Sequence, residues 1–291
     1  MAIAVSKSVS LVTLLRLGRV SNVPTVWTNV LAGTVLAGGT WQSWRTGLLL
    51  AAMSLLYLGG MYLNDYFDRE IDAHERPERP IPARDISAMA VAAIGFGLLA
   101  LGIVAMAPMG TAAAATGAIL AAVIVGYDVF HKGNPFAPVV MGACRALVYG
   151  GAVIAVVGTV PAIVAVAALA LLAYVAGLTY AARQESLDHV GNLWPLVLLA
   201  APLVAVLTVA QHALTAVAIC LLLALAMARA VYWLVRRPAP GSISRAVAWL
   251  IAGISLVDAA FLAAAGALVP AAIAIAGFAA TLMAQKYVAG T

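Results

Sequence analysis

The sequence predicts an all-α fold, a polytopic bundle of transmembrane helices, on three observations. Mean hydropathy is +1.06. Only 9% of residues are charged, against about a quarter in soluble domains. Uncharged runs near the roughly 20 residues that cross a bilayer recur along almost the whole 291-residue chain. They leave no stretch over for a soluble domain, so residues 1–291 read as a single integral-membrane domain. The first apolar run carries Arg16 and Arg19 and leads straight into further membrane segments, so no cleavable signal peptide is expected.

In chain order the spans fall near 22–40, 46–64, 87–107, 110–128, 137–158, 161–181, 193–210, 212–235, 244–266 and 268–287. Some joints are very short, such as Ala107-Pro108-Met109-Gly110 and Gly158-Thr159-Val160-Pro161. Alternate connections collect the basic residues: Lys7, Arg16 and Arg19; Arg69, Arg76, Arg79 and Arg84; Lys132; Arg183; Arg236, Arg237 and Arg245; Lys286. The opposite connections carry only Arg45. The positive-inside rule makes the rich side cytoplasmic, with both termini there, so the expected location is the cytoplasmic membrane. Nearly all the acids lie on that side too. Abundant Gly and Ala suit close helix packing in lipid, and Cys144 and Cys220 read as core residues. Nothing in the charge pattern calls for nucleic acid.

Residues 64–72, NDYFDREID, hold four of the eleven acidic residues. On a helix, Asn64, Asp68 and Asp72 share one face at i, i+4 and i+8, with Asp65 beside the stripe. Carboxylates so placed repel unless a cation sits between them. Oxygen donors with one or two carboxylates per ion, the rest supplied by water or phosphate, describe Mg²⁺. A solvated helix end neutralised by Arg69, Arg76 and Arg79 is the plainer alternative. The following loop, residues 74–84, combines stiffening prolines with guanidinium groups that match phosphate oxygens.

These residues resemble the UbiA-type intramembrane prenyltransferases, whose signature NDxxDxxxD with a loop ending RP-[LI]-P is matched by Asn64–Asp72 and Arg79-Pro80-Ile81-Pro82. Length and span pattern agree over essentially the whole chain. The resemblance implies a helical bundle of nine to ten spans, nine being usual, around a central cavity open to the cytoplasm and sideways to lipid. It also places Tyr127 and Lys132, in the segment Tyr127 to Pro135, against a diphosphate, with Arg145 of Gly142-x-x-Arg145 and Arg79 beside them. Residual charge on a Mg²⁺-bound diphosphate suits a lysine, and a cation inside the membrane boundary is expensive unless it is used. Members carry a second acidic signature after the sixth span. Here only Glu185 and Asp188 remain, at i, i+3 with Arg183 close by, as in a bacterial branch with a variant second motif.

The function so implied is Mg²⁺-dependent transfer of a prenyl group from an allylic polyprenyl diphosphate to a small-molecule or lipid acceptor, within the membrane. Asn64, Asp68 and Asp72 would hold one ion and Glu185 with Asp188 a second. Asp68, Asp72 and Lys132 would act in catalysis, and Arg79, Tyr127, Arg145 and Arg183 in substrate binding. Two other classes stay open at this point: a cation-coupled transporter using Asp258, which lies mid-span, and a non-catalytic prenyl-lipid-binding relative. Arg19 and Asn22 lie within reach of the cavity. His74, His131 and His189 lack zinc-type spacing.

Overall fold

The computed structural model describes residues 9–183, 192–210 and 214–290. Among them there are helices and turns and no strand. The helices are α1 (Leu11–Leu17), α2 (Val23–Leu36), α3 (Trp44–Glu75), α4 (Ala88–Met106), α5 (Thr111–Phe130) and α6 (Ala137–Val156). They continue with α7 (Ala162–Ala182), α8 (Ala201–Val209), α9 (Leu214–Arg236), α10 (Ser242–Ala264) and α11 (Leu268–Ala284). Each of the ten expected spans holds a helix among its described residues. Seven helices among the described residues are long and apolar enough to cross a membrane; α2, the Trp194–Val209 run and α11 are shorter.

The departures from the expected boundaries have local causes. The first span stops at Leu36 because Gly38, at φ +84°, turns the chain. The seventh begins as a 3-10 run, Trp194–Ala200, before α8. Pro195 and Pro202 each open one of these pieces, where the missing N–H costs least. α3 runs eleven residues past its expected end. At 1.5 Å per residue, the part from Trp44 to Leu63 already spans about 30 Å. The stripe from Asn64 therefore stands at or beyond the hydrocarbon edge. Arg76 ends the helix because Pro77 follows it.

Two apolar cores meet at α2. One fills the space among α2, α3, α4, α5 and α6, the other among α2, α6, α7, α9, α10 and α11. Glycine lets the helices close. A Cβ at Gly142 of α6 would strike the Leu172 carbonyl of α7, and one at Gly253 of α10 would strike the Tyr174 hydroxyl. α10 is the most enclosed of the spanning helices, as its apolar residues on every side require.

Candidate active site

α3, α5 and α7 end on one face, where α2, α6 and α10 begin, and a cavity of about 490 Å³ opens between them. Asn64 and Asp68 line it from α3, Tyr127, His131 and Lys132 from the end of α5, and Arg145 from α6. Arg79 and Arg183 complete the rim. A smaller apolar pocket of about 80 Å³ continues inward past Val26, Met53, Leu120, Ile124 and Val148. Tyr57, Met61, Tyr127, Met141 and Arg145 line both spaces. A polar mouth thus opens directly onto an apolar channel.

The helical stripe forms as its spacing predicts, with Asp65, Asp68 and Asp72 all buried. Asp68 faces α5: its Oδ1 lies 3.4 Å from His131 Nε2 and 3.8 Å from Lys132 Nζ. Asp72 is gripped by Arg79, whose Nη1 donates to its Oδ2 at 2.9 Å and to Asp65 Oδ1 at 3.2 Å. Arg79 reaches back because its loop is folded tightly. Ala83 N–H donates to the Arg79 carbonyl and Asp85 N–H to the Pro80 carbonyl. Ile81 packs against the Leu17 and Tyr62 cluster, pinning the loop over α3.

The α5–α6 turn depends on Gly133 at φ +70°, a conformation glycine adopts without strain. Asn134 Oδ1 caps the turn by accepting from Phe136 N–H at 2.9 Å. Arg183 Nη2 donates to the carbonyls of His131 (2.7 Å) and Asn134 (2.8 Å), tying the end of α7 to the residues flanking Lys132. His131 stacks on Tyr127 at 4.9 Å. The structure therefore brings Asn64, Asp68, Asp72, Arg79, Tyr127, Lys132, Arg145 and Arg183 to one cavity and its rim. Glu185 and Asp188, the expected second metal-binding pair, lie outside the described residues.

Three residues that sequence reasoning undervalued also belong here. Arg19 sits in the left-handed region, at φ 41°, an uncommon conformation for a non-glycine residue. Its Nη2 donates to Asp65 Oδ1 (3.0 Å) and Asn64 Oδ1 (3.2 Å). Asn22 lines the cavity and donates to the Gly290 carbonyl at 2.8 Å. Asp128 accepts from Asn64 Nδ2 at 3.2 Å, and its other oxygen is buried without a protein partner. A buried acid so close to NDxxD was visible in the sequence, but its meeting with Asn64 needs the packing of α3 on α5.

Asp258 lies apart from this set. It is fully buried, and both its oxygens accept from Asn29 Nδ2 (3.0 and 2.8 Å). Tyr149 donates its hydroxyl at 2.5 Å, and Arg145 Nη1 reaches only Asn29 Oδ1, at 3.0 Å. The carboxyl group is thus closed off by neutral hydrogen-bond partners.

The donor set suits Mg²⁺. Among the described residues no three His, Cys, Asp or Glu side chains form a ready-made metal cage. Mg²⁺ needs none, because it keeps water and phosphate oxygens and uses one or two carboxylates. Asp68 lines the cavity beside Asn64, whose Oδ1 accepts from Arg19, and Asp128 lines the smaller pocket next to them.

Comparison with known proteins decides the family. The family model described as UbiA prenyltransferase family matches residues 26–254. The chain belongs to that family. Within it, 70 residues are 44% identical to a digeranylgeranylglyceryl phosphate synthase of Methanothrix thermoacetophila. That alignment covers 24% of this chain and 26% of the relative, about a quarter of its length. Two solved structures share the UbiA fold. One, described as giving insights into the biosynthesis of digeranylgeranylglyceryl phosphate synthase in membranes, superposes with a TM-score of 0.58 at 21% identity. It covers 88% of this chain and 98% of the other. The apo structure of a UbiA homolog from Aeropyrum pernix K1 gives 0.55 at 18% identity, covering 90% and 96%. Family and long apolar helices together mark a multi-pass membrane protein.

Proposed function

We propose that this UbiA family member transfers a prenyl group from an allylic polyprenyl diphosphate to an acceptor at the mouth of the described cavity. The supporting observation is the junction itself: carboxylates and cations line the mouth, and an apolar channel begins at the residues the two spaces share. A polyprenyl diphosphate has the same division between a charged head and an apolar tail. Burying each CH₂ of the tail stabilises the complex by about 0.8 kcal/mol.

Mg²⁺, held by Asn64, Asp68 and Asp72, would supply positive charge at the diphosphate oxygens. The chain's own cations do the rest. Lys132 and Arg79 are placed to donate to the leaving diphosphate as negative charge grows on it. Arg183 holds the turn that carries Lys132. The apolar channel keeps water away from the allylic carbon as its C–O bond breaks, so the acceptor rather than water captures it. Tyr57 and Arg145 line both spaces, at the joint between head and tail. Glu185 and Asp188 would complete a second ion site. By the positive-inside rule, the charge segregation of the sequence supports a cytoplasmic mouth and cytoplasmic termini in the cell membrane.

The transport reading requires an ion to reach Asp258, whose oxygens are taken by Asn29 and Tyr149. The Methanothrix relative, a digeranylgeranylglyceryl phosphate synthase, makes a glyceryl phosphate lipid one acceptor to test, beside small aromatic acceptors. The deciding experiment incubates purified protein with allylic diphosphates of several chain lengths, Mg²⁺ and these acceptors. Acceptor-dependent diphosphate release supports the proposal. No release with any donor, from folded protein that still binds the donor, supports the non-catalytic relative.

A further inference from the structure

A second concave surface lies outside the reaction cavity, between α10 and α11, with a volume of about 710 Å³. Its wall is apolar: Trp249 and Phe278 meet edge to face at 6.0 Å, and Leu282 and Met283 extend the surface. The charged residues among its described lining are Arg245, near the start of α10, and Lys286, just beyond the end of α11. Both are exposed, and no acid shares the lining. α10 and α11 are antiparallel neighbours, so the two cations stand at one membrane edge, on opposite walls of one groove. It is also the edge that carries the reaction mouth. Gly290 lines both spaces, held by Asn22, which in turn accepts from Gln285 Nε2 at 2.9 Å.

We propose that this groove binds an anionic phospholipid of the phosphatidylglycerol type. Its phosphate sits between Arg245 and Lys286, and an acyl chain lies along Trp249 and Phe278. The charge pattern selects this occupant. An apolar wall alone accepts any lipid tail, but two cations from separate helices with no acid between them require an anion at headgroup depth. Basic pockets between transmembrane helices bind anionic headgroups for this reason. Arg245 is already steadied for the task, its guanidinium lying 5.7 Å over the Trp233 ring. A zwitterionic lipid brings its own cation and gains little there. With each basic residue contributing as it does at a membrane surface, the anionic lipid is favoured on the order of 30-fold.

The test uses the full-length protein in nanodiscs containing lipids brominated on the acyl chain, which quench nearby tryptophan fluorescence. Subtracting the signal of a Trp249→Phe variant isolates the groove. Brominated phosphatidylglycerol should quench this component at a mole fraction on the order of 30-fold below that needed for brominated phosphatidylcholine. The double variant Arg245→Gln, Lys286→Gln should bring the two lipids within about threefold of each other. The charge-keeping pair Arg245→Lys, Lys286→Arg should retain the preference. Equal quenching by the two lipids in the native protein overturns the proposal and leaves an ordinary annular lipid. A preference that survives loss of both charges overturns it as well. Should the double variant fail to fold, the native comparison and the charge-keeping pair still decide.

Discussion

Asp68 and Asp258 are both buried carboxylates, at 6% and 0% exposure, yet their surroundings are opposite. Asp68 sits at the cavity mouth with ionisable partners at loose distances, 3.4 Å to His131 and 3.8 Å to Lys132. Asp258 sits among spanning helices with a neutral amide and a phenol at 2.5 to 3.0 Å. Its nearest cation, Arg145, stops one asparagine away. Burial therefore does not distinguish the two. What does is whether the partners can be exchanged for a ligand. A carboxylate closed by three short bonds from two neutral partners has no reason to take another. One that faces a cavity through longer contacts to an imidazole and a lysine can release them to an ion or a substrate.

The largest expected effect tests the closed cluster. Asp258→Leu leaves the Asn29 amide and the Tyr149 hydroxyl without their acceptor, and each buried orphan costs about 1–3 kcal/mol. The variant should lose about 2–6 kcal/mol of stability, read as a lower unfolding temperature in detergent. Unchanged melting would mean that the network does not hold the fold.

Next comes Asp128, which lies between the two extremes, bonded to Asn64 on one oxygen and unpartnered on the other. Asp128→Asn keeps its shape and replaces the unpartnered carboxyl oxygen behind Asn64 with an amide. Turnover should fall about 30-fold, the equivalent of ~2 kcal/mol, with melting preserved. A drop in melting with turnover intact would move Asp128 into the structural class.

The smallest effect concerns Arg183. Its two bonds hold the turn carrying Lys132, so Arg183→Ala should slow turnover about fivefold, or ~1 kcal/mol. A loss far beyond that, together with weaker donor binding, would show that Arg183 grips the diphosphate directly. No change in rate or Mg²⁺ demand would remove it from the site.

How far each cluster could be read in the sequence follows from the same contrast. The stripe on α3 is local: Asn64, Asp68 and Asp72 lie on one helix, so spacing alone gives their common face. The bond from Arg79 to Asp72 is what the plainer reading of the stripe, acids neutralised by nearby arginines, offers. The Asp258 network joins residues 229 and 109 positions apart. No periodicity carries that information, and the sequence offered Asp258 no partner. Asp128 failed for a similar reason, since its contact with Asn64 is made across two helices. The span pattern read well because hydropathy is a property of single segments. It placed a boundary less well at Gly38, where backbone chemistry ends the helix inside an apolar run. At the Trp194–Val209 run the bounds were met, and what hydropathy did not carry was the 3-10 opening.

The central claim, that the mouth works and the buried network holds, is tested most directly by making one change in both places. Asp68→Asn and Asp258→Asn each exchange a carboxyl group for an amide of the same shape, and both variants are to be scored for melting and for Mg²⁺-dependent diphosphate release. Asp68→Asn should melt like the native protein and lose at least about a hundredfold in rate, because one electrostatic contact to a developing anion is worth roughly 3 kcal/mol. Asp258→Asn should melt lower, while its folded fraction turns over near the native rate. Native turnover in Asp68→Asn across Mg²⁺ concentrations, or a hundredfold loss in Asp258→Asn with unchanged melting, would contradict the account.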